Sequence, residues 1–407
     1  VKIHLAPVVP IRRTALADYD VAFERSWGVA TQWLRTLSRE RAAAPDLFAE
    51  LAEHTGEQRE LLLRNGRRFH TWGLCELLIE QSLTVSLQNA AEGEELGLLA
   101  LRLLDLLPGE RYRSESLEDG RARAWAHVAN ARRIRSDLEG AERAFRAAWG
   151  RFEAGSRDLF EKAILLDLEA SLQRARRRFA AAFGLLRRAV GLFLELGERH
   201  RAGRSLVNLA TVCQQSGDPE RGIPVLQQAL SLIDPAQEPR LMLLIHHNLV
   251  DCLAGAGRFL EAQRASREGR EWFRRFPDDR LRLRRQWVEG KIARGLGQLP
   301  QAETLFLAAR DGFLAEGIPY ETALVSLELA LLYAEQGRTA ELKELAAGML
   351  PIFASRQIHP EALAALAIFQ RAAEAERAGV EMVTEIGDYL RRARHAPEVP
   401  FRGADRR

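Results

Sequence analysis

His246 and His247, with Asp251 one helical turn beyond His247, are the place in this 407-residue sequence where metal-type ligands cluster. Two adjacent residues of a helix point in different directions, so the two imidazoles cannot easily serve one ion, and a hydrogen-bonding pair lining a groove is the better reading. Catalytic machinery is not legible. There is no phosphate-binding glycine loop ending in Gly-Lys-Ser/Thr, no His-Glu-x-x-His and no nucleophile elbow, so no enzyme, cofactor or metal is expected. Cys75, Cys213 and Cys252 lie far apart without a paired-thiol motif, which fits a reducing compartment and argues against structural zinc. Cys213 and Cys252 stand where packing residues belong.

What must position any such residues is a repeat. Small or compact residues recur at Ala129, Ala170, Ala210, Val250, Gly290 and Ala330, the first interval being 41 residues and the others 40. Each is followed 12 positions later by Ala141, Ala182, Gly222, Ala262, Ala302 and Leu342. Seven beyond those stand Ala148, Ala189, Ala229, Gly269, Ala309 and Met349. Gly217, Gly257, Gly297 and Gly337 fall between the first two sets, where a helix must stop and the chain reverse. Apolar residues keep helical spacing within each half, as in Leu206, Leu209 and Cys213, and alternating β-branched runs are absent. Each unit is therefore a helical hairpin, and small residues at the crossings let one hairpin stack on the next.

This pattern resembles the tetratricopeptide repeat, most clearly over residues 205–234, and six copies run from about 122 to 355. A degenerate seventh is expected ahead of them, with its first helix from Trp72 and its second over 96–107. The 40-residue period is longer than the usual unit of about 34. It is similar to the long-helix arrays of bacterial regulators of the maltose-regulator and peptide-sensing types, and of kinesin light chains. The resemblance implies an all-α fold, a right-handed α-solenoid of stacked hairpins. The expected organisation is a helical capping region over 1–70, the array over 71–357, closing helices over 358–395 and a disordered tail over 396–407. Within the first region, helices are expected over 12–41 and 46–69, broken at Ala44, Pro45 and Asp46, with Asp46 as N-cap.

In such arrays the first helices line the concave face. Asn208 and Asn248 stand there 40 residues apart, two positions before the small residue. In the peptide-sensing and kinesin-light-chain kinds, the resemblance implies that asparagines at this place grip a peptide backbone. A carboxamide donates and accepts at once, which matches a peptide group. The same residues equally suit a contact between neighbouring repeats. Around them the face carries Arg204, Thr211, Gln215, His247, Asp251, Arg284, Trp287, Lys291 and Arg294, with Arg123, Asn130, Arg133 and Arg174 further out. Arginine forks suit carboxylates or phosphates, and Trp287 offers a flat apolar anchor or else covers a repeat junction.

The expected function is a non-enzymatic scaffold that binds an extended peptide or partner segment of acidic character, and the resemblance to the bacterial arrays implies a version in which it is the sensor of a bacterial signalling system. The rival readings are an arginine-mediated nucleic-acid binder and a self-assembling structural part. Against nucleic acid, 59 basic and 56 acidic residues leave only +3, and the runs 174–178 and 280–285 lack interleaved aromatic platforms. Arginine accounts for 55 of the basic residues and is scattered evenly, as codon bias also produces. No window approaches the roughly 18 apolar residues of a membrane span, and the start from Val1 to Pro7 has no apolar stretch of signal length. A cytoplasmic location is expected.

Overall fold

The structure, a computed structural model, describes residues 13–276, 279–354 and 360–393; the tail expected over 396–407 lies outside the described residues. Every regular element among the described residues is helical, and the chain divides into two compact units, Val1–Glu161 and Lys162–Arg407.

Unit 1 begins with α1 (Arg13–Ala52) and α2 (Gly56–Asn65), followed by the hairpins α3 (Trp72–Ser86) with α4 (Ala90–Leu106) and α5 (Ser114–Ile134) with α6 (Leu138–Ala154). The expected break at Pro45 does not occur: α1 runs through it. Proline removes one backbone donor and crowds the preceding turn, a cost of about 3 kcal/mol that tertiary packing must offset. Leu37, Ala44 and Leu51 are buried as α1 packs on α3. The Glu40 carboxylate, also buried, accepts from the Trp72 amide at 2.8 Å and the Tyr112 hydroxyl at 2.9 Å. Arg41 adds a bidentate pair to Glu76 at 2.6 and 2.8 Å.

Unit 2 continues the pattern. α7 (Leu159–Ala175), whose first residues belong to unit 1, precedes α8 (Phe179–Glu195), then α9 (Arg199–Gln215) with α10 (Pro219–Leu232) and α11 (Pro239–Gly255) with α12 (Phe259–Glu268) and α13 (Arg270–Arg275). Next come α14 (Asp279–Gly295) with α15 (Leu299–Ala315), α16 (Pro319–Glu335) with α17 (Thr339–Ala354), and finally α18 (Pro360–Glu374) and α19 (Val380–Ala393). The first helices touch in sequence, α9 to α11, α11 to α14 and α14 to α16.

The small residues behave as their spacing predicts. Ala129, Ala141, Ala148, Ala170, Ala182, Ala189, Ala210, Ala229, Ala262, Ala302, Ala309 and Ala330 are all 0–1% exposed. At Gly290 a Cβ would stand 2.5 Å from Phe306 Cε1, so the crossing of α14 and α15 admits no side chain there. Between the helices of each later hairpin, Gly217, Gly257, Gly297 and Gly337 take φ of +67° to +86°. Local capping starts the next helix: the Asp218 side chain accepts from the Arg221 amide with Pro219 in the first turn, and Asp137 does the same for Gly140.

Two features depart from a plain stack. The second helix of one repeat divides at Gly269 into α12 and α13, where a Cβ would lie 3.1 Å from His246 Cβ. At the C-terminal end, α19 packs against α16 as well as α18. Val383, Ile386, Tyr389 and Leu390 are buried there, and residues 321–333 of α16 are buried on every side.

Candidate functional site

The first helices of unit 2 bring the expected residues side by side, because equivalent positions recur every 40 residues on neighbouring helices. Asn208 on α9 donates from Nδ2 to Asp167 on α7, at 3.3 Å from Oδ1 and 3.4 Å from Oδ2. Burial raises the Asp167 pKa beyond what hydrogen bonds from Ser205 and Asn208 and the nearby Arg204 offset. The carboxamide of Asn208 is thus engaged inside the chain, whereas Asn248, half-buried at the same place on α11, has no hydrogen-bond partner among the described residues.

Charged residues on this face meet carboxylates of the neighbouring repeat. Arg204 reaches Glu238 at 2.7 Å, which also faces His200 at 3.2 Å. Arg284 on α14 lies 3.4 Å from Glu321 on α16, and Arg294 lies 3.0 Å from Glu328, both acids being under 5% exposed. In unit 1, Arg123 on α5 meets Glu161 in the same register relation as Arg284 to Glu321, and Arg133 donates to Asn130 Oδ1 at 2.9 Å. Lys291 Nζ lies 3.4 Å from Asp251 Oδ1 and 4.7 Å from the centre of the Trp287 ring. Gln214, the neighbour of the expected Gln215, donates to the other oxygen of Asp251. Burial alone would push the Asp251 carboxyl up, but the Lys291 and His247 charges and these hydrogen bonds hold it below the usual range.

The two histidines part as expected for adjacent helical residues. His246 faces Gly269, while His247 stands beside Asp251 with its ring edge-on to Phe273 at 6.4 Å. Burial lowers the pKa of both. Among the described residues no three potential metal ligands gather. The three cysteines are buried and free, and burial pushes Cys252 up to about 12. Thr211 donates back to the Val207 carbonyl at 3.0 Å, and Gln215 has no hydrogen-bond partner among the described residues. Trp287 packs on the core edge-on to Phe313 at 6.3 Å, its indole N–H buried without an acceptor among the described residues. A shallow cavity of about 340 Å³, lined by Arg280, Arg284, Phe313, Pro319 and Tyr320 among others, marks the end of the face beside α16.

Sequence reasoning found the basic half of these pairs and missed the acidic half, Asp167, Glu238, Glu321 and Glu328. The signal was present as complementary charges one repeat apart: Glu321 follows Arg284 by 37 residues and Glu161 follows Arg123 by 38.

No protein-family model and no curated protein sequence matches the chain. Solved structures do. RapI in its apo form matches with a TM-score of 0.58 over 90% of this chain and 99% of its own, at 16% identity. A Rap protein complexed with competence and sporulation factor matches with a TM-score of 0.56 over 79% of this chain and 87% of its own, at 12% identity. Aspartyl phosphate phosphatase F from Bacillus subtilis matches with a TM-score of 0.52 over 86% and 85% respectively, at 12% identity. Identities this low speak for architecture alone. No helix among the described residues is long and apolar enough to cross a membrane. The chain has an all-α repeat fold of the tetratricopeptide type.

Proposed function

We propose that the chain is a protein-interaction scaffold that seats an extended peptide or partner segment across the first helices of unit 2. The observation that carries this reading is the contrast between spent and unspent groups. The charges of α9, α11 and α14 named above are each paired inside the chain, while the carboxamides of Asn248 and Gln215 have no hydrogen-bond partner among the described residues. Neutral amides that both donate and accept are what a peptide backbone requires. The half-buried pair of Trp287 and Lys291, with the ammonium over the ring at 4.7 Å, supplies apolar contact beside them. One fold neighbour was crystallised with competence and sporulation factor, which supports a ligand of this kind on this architecture.

Recognition rather than turnover is the reading, although one fold neighbour bears the name of a phosphatase; a shared fold does not carry an activity across. An acidic ligand is favoured by Arg204 and Arg284, whose side chains are 59% and 49% exposed and keep donors available beyond their internal pairs. A regulatory role as the sensor of a signalling system follows if ligand binding changes how successive repeats pack.

The test is selection of random linear peptides by the purified chain, followed by affinity measurement on the Asn248→Ala, Gln215→Ala double variant. Selected peptides are expected to weaken by about tenfold or more, given roughly 0.5–1.5 kcal/mol for each lost hydrogen bond. Equal affinity for both chains, or no peptide selected above background, would remove the first-helix face of unit 2 as the site.

A further inference from the structure

Arg174, in the last turn of α7, occupies the place in the repeat that Arg294 holds on α14 and Gln214 on α9. Arg294 has a partner 34 residues on, the buried carboxylate of Glu328, at 3.0 Å. The residue 34 positions beyond Arg174 is Asn208, which is neutral and has turned its carboxamide to Asp167 at 3.3 Å. Arg174 is half-buried and has no ion pair or hydrogen bond among the described residues. Burial is the cause that lowers its pKa, and among the described residues no carboxylate offsets it. A guanidinium stays charged under such conditions, so the fold holds a partly desolvated cation with its expected acid removed. One turn away, Arg177 donates to the Arg392 carbonyl at 3.3 Å, a dipole rather than a charge.

An unpaired, partly desolvated arginine lowers stability unless a group outside the described residues neutralises it. The equivalent pair of Arg294 with Glu328 shows which chemistry fits this register, a carboxylate presented from the direction of the next first helix. We propose that Arg174 is the anchoring residue for a carboxylate of the bound segment, an Asp or Glu side chain or a C-terminal carboxylate, received between the last turns of α7 and α9. This inference rests on the interaction reading above and names the ligand chemistry that reading requires at its N-terminal end.

Two measurements on the full chain test it. The first follows arginine Nε–Hε resonances during titration with acetate, with Arg174 and Arg294 assigned from the Arg174→Gln and Arg294→Gln variants. The Arg174 resonance is expected to move saturably while that of Arg294, already paired, stays in place. The second compares the selected peptides on wild-type and Arg174→Gln chains, each in three forms: free acid, C-terminal amide, and with its Asp or Glu changed to Asn or Gln. One of the two changes is expected to cost about tenfold on the wild-type chain and nothing further on Arg174→Gln, which identifies the source of the carboxylate.

An Arg174 resonance that acetate leaves unmoved overturns the proposal, as does a peptide set with equal affinity for both chains and no dependence on its carboxylates. Movement by acetate in a chain that selects no peptide would sustain the anion site and sink the peptide reading. The melting temperature of Arg174→Gln is expected to be no lower than that of the wild type, which separates lost binding from lost folding.

Discussion

His127 on α5 stands at the register place of Asn208 on α9 and Asn248 on α11, and it shows how differently one position can be used. The imidazole is buried, its Nδ1 has no hydrogen-bond partner among the described residues, and burial with the nearby Arg123 charge lowers its pKa to about 4. The unfolded chain binds this proton at about pH 6.5. Stability is therefore fully present above that value, falls as pH drops between about 6.5 and 4, and levels off below, with a span of up to about 3 kcal/mol. His127→Asn is expected to flatten this decline, read as the melting temperature at pH 7 minus that at pH 4.5. An unchanged difference would mean that the imidazole does not stay neutral in the folded chain. His127 stands two positions before the small residue Ala129, which fixes its register on a first helix, whereas its desolvation depends on what packs over it.

The turn between the two helices of a hairpin is where backbone geometry and residue type meet. Gly217, Gly257, Gly297 and Gly337 adopt positive φ, and in the two earlier copies the same place is filled by Ser136 at φ 66° and Arg177 at φ 57°. A Cβ at Gly217 meets nothing within 4 Å, so Gly217→Ala should cost only the backbone term, about 1 kcal/mol. Ser136→Gly should recover a comparable amount by relieving the same strain in the α5 to α6 turn, less the entropy lost to a freer unfolded chain. Thermal unfolding of the two variants gives the opposite signs; two shifts of one sign would remove the backbone explanation. These turns were legible because glycine recurs there at a constant interval. The continuity of α1 through Pro45 was not, because it depends on Leu37, Glu40 and Ala44 finding α3 and Tyr112 some 30 to 70 residues away.

On the scale of the molecule, the array ends by folding its own C-terminal helix onto a first helix. α19 buries Val383, Ile386, Tyr389 and Leu390 against α16, and Arg391 stands 3.7 Å from the Glu328 carboxylate that Arg294 already holds. The consequence for the proposed binding face is that α19 covers α16, which leaves α9, α11 and α14 to seat a ligand. Leu390→Asp places an unpaired charge in this contact and is expected to detach α19 rather than bury it. Amide exchange should then accelerate in α19 and along 321–333 of α16 while α9 and α10 keep their protection. Exchange unchanged in α16 would show that α19 does not cover it.

The 40-residue interval of small residues determined the hairpins, their crossings and the sharing of one face by Asn208, Asn248, Arg284 and Trp287, since close helix packing is a local demand that residue size alone can state. Tertiary structure decided which of those groups are spent. Whether an arginine finds an acid depends on the row presented by the neighbouring helix: Arg294 meets Glu328, whereas the residue 34 positions beyond Arg174 is the neutral Asn208, whose carboxamide is taken by Asp167. The covering of α16 by α19 was likewise beyond the sequence, because an amphipathic helix states that it has an apolar face but not which surface that face will bury.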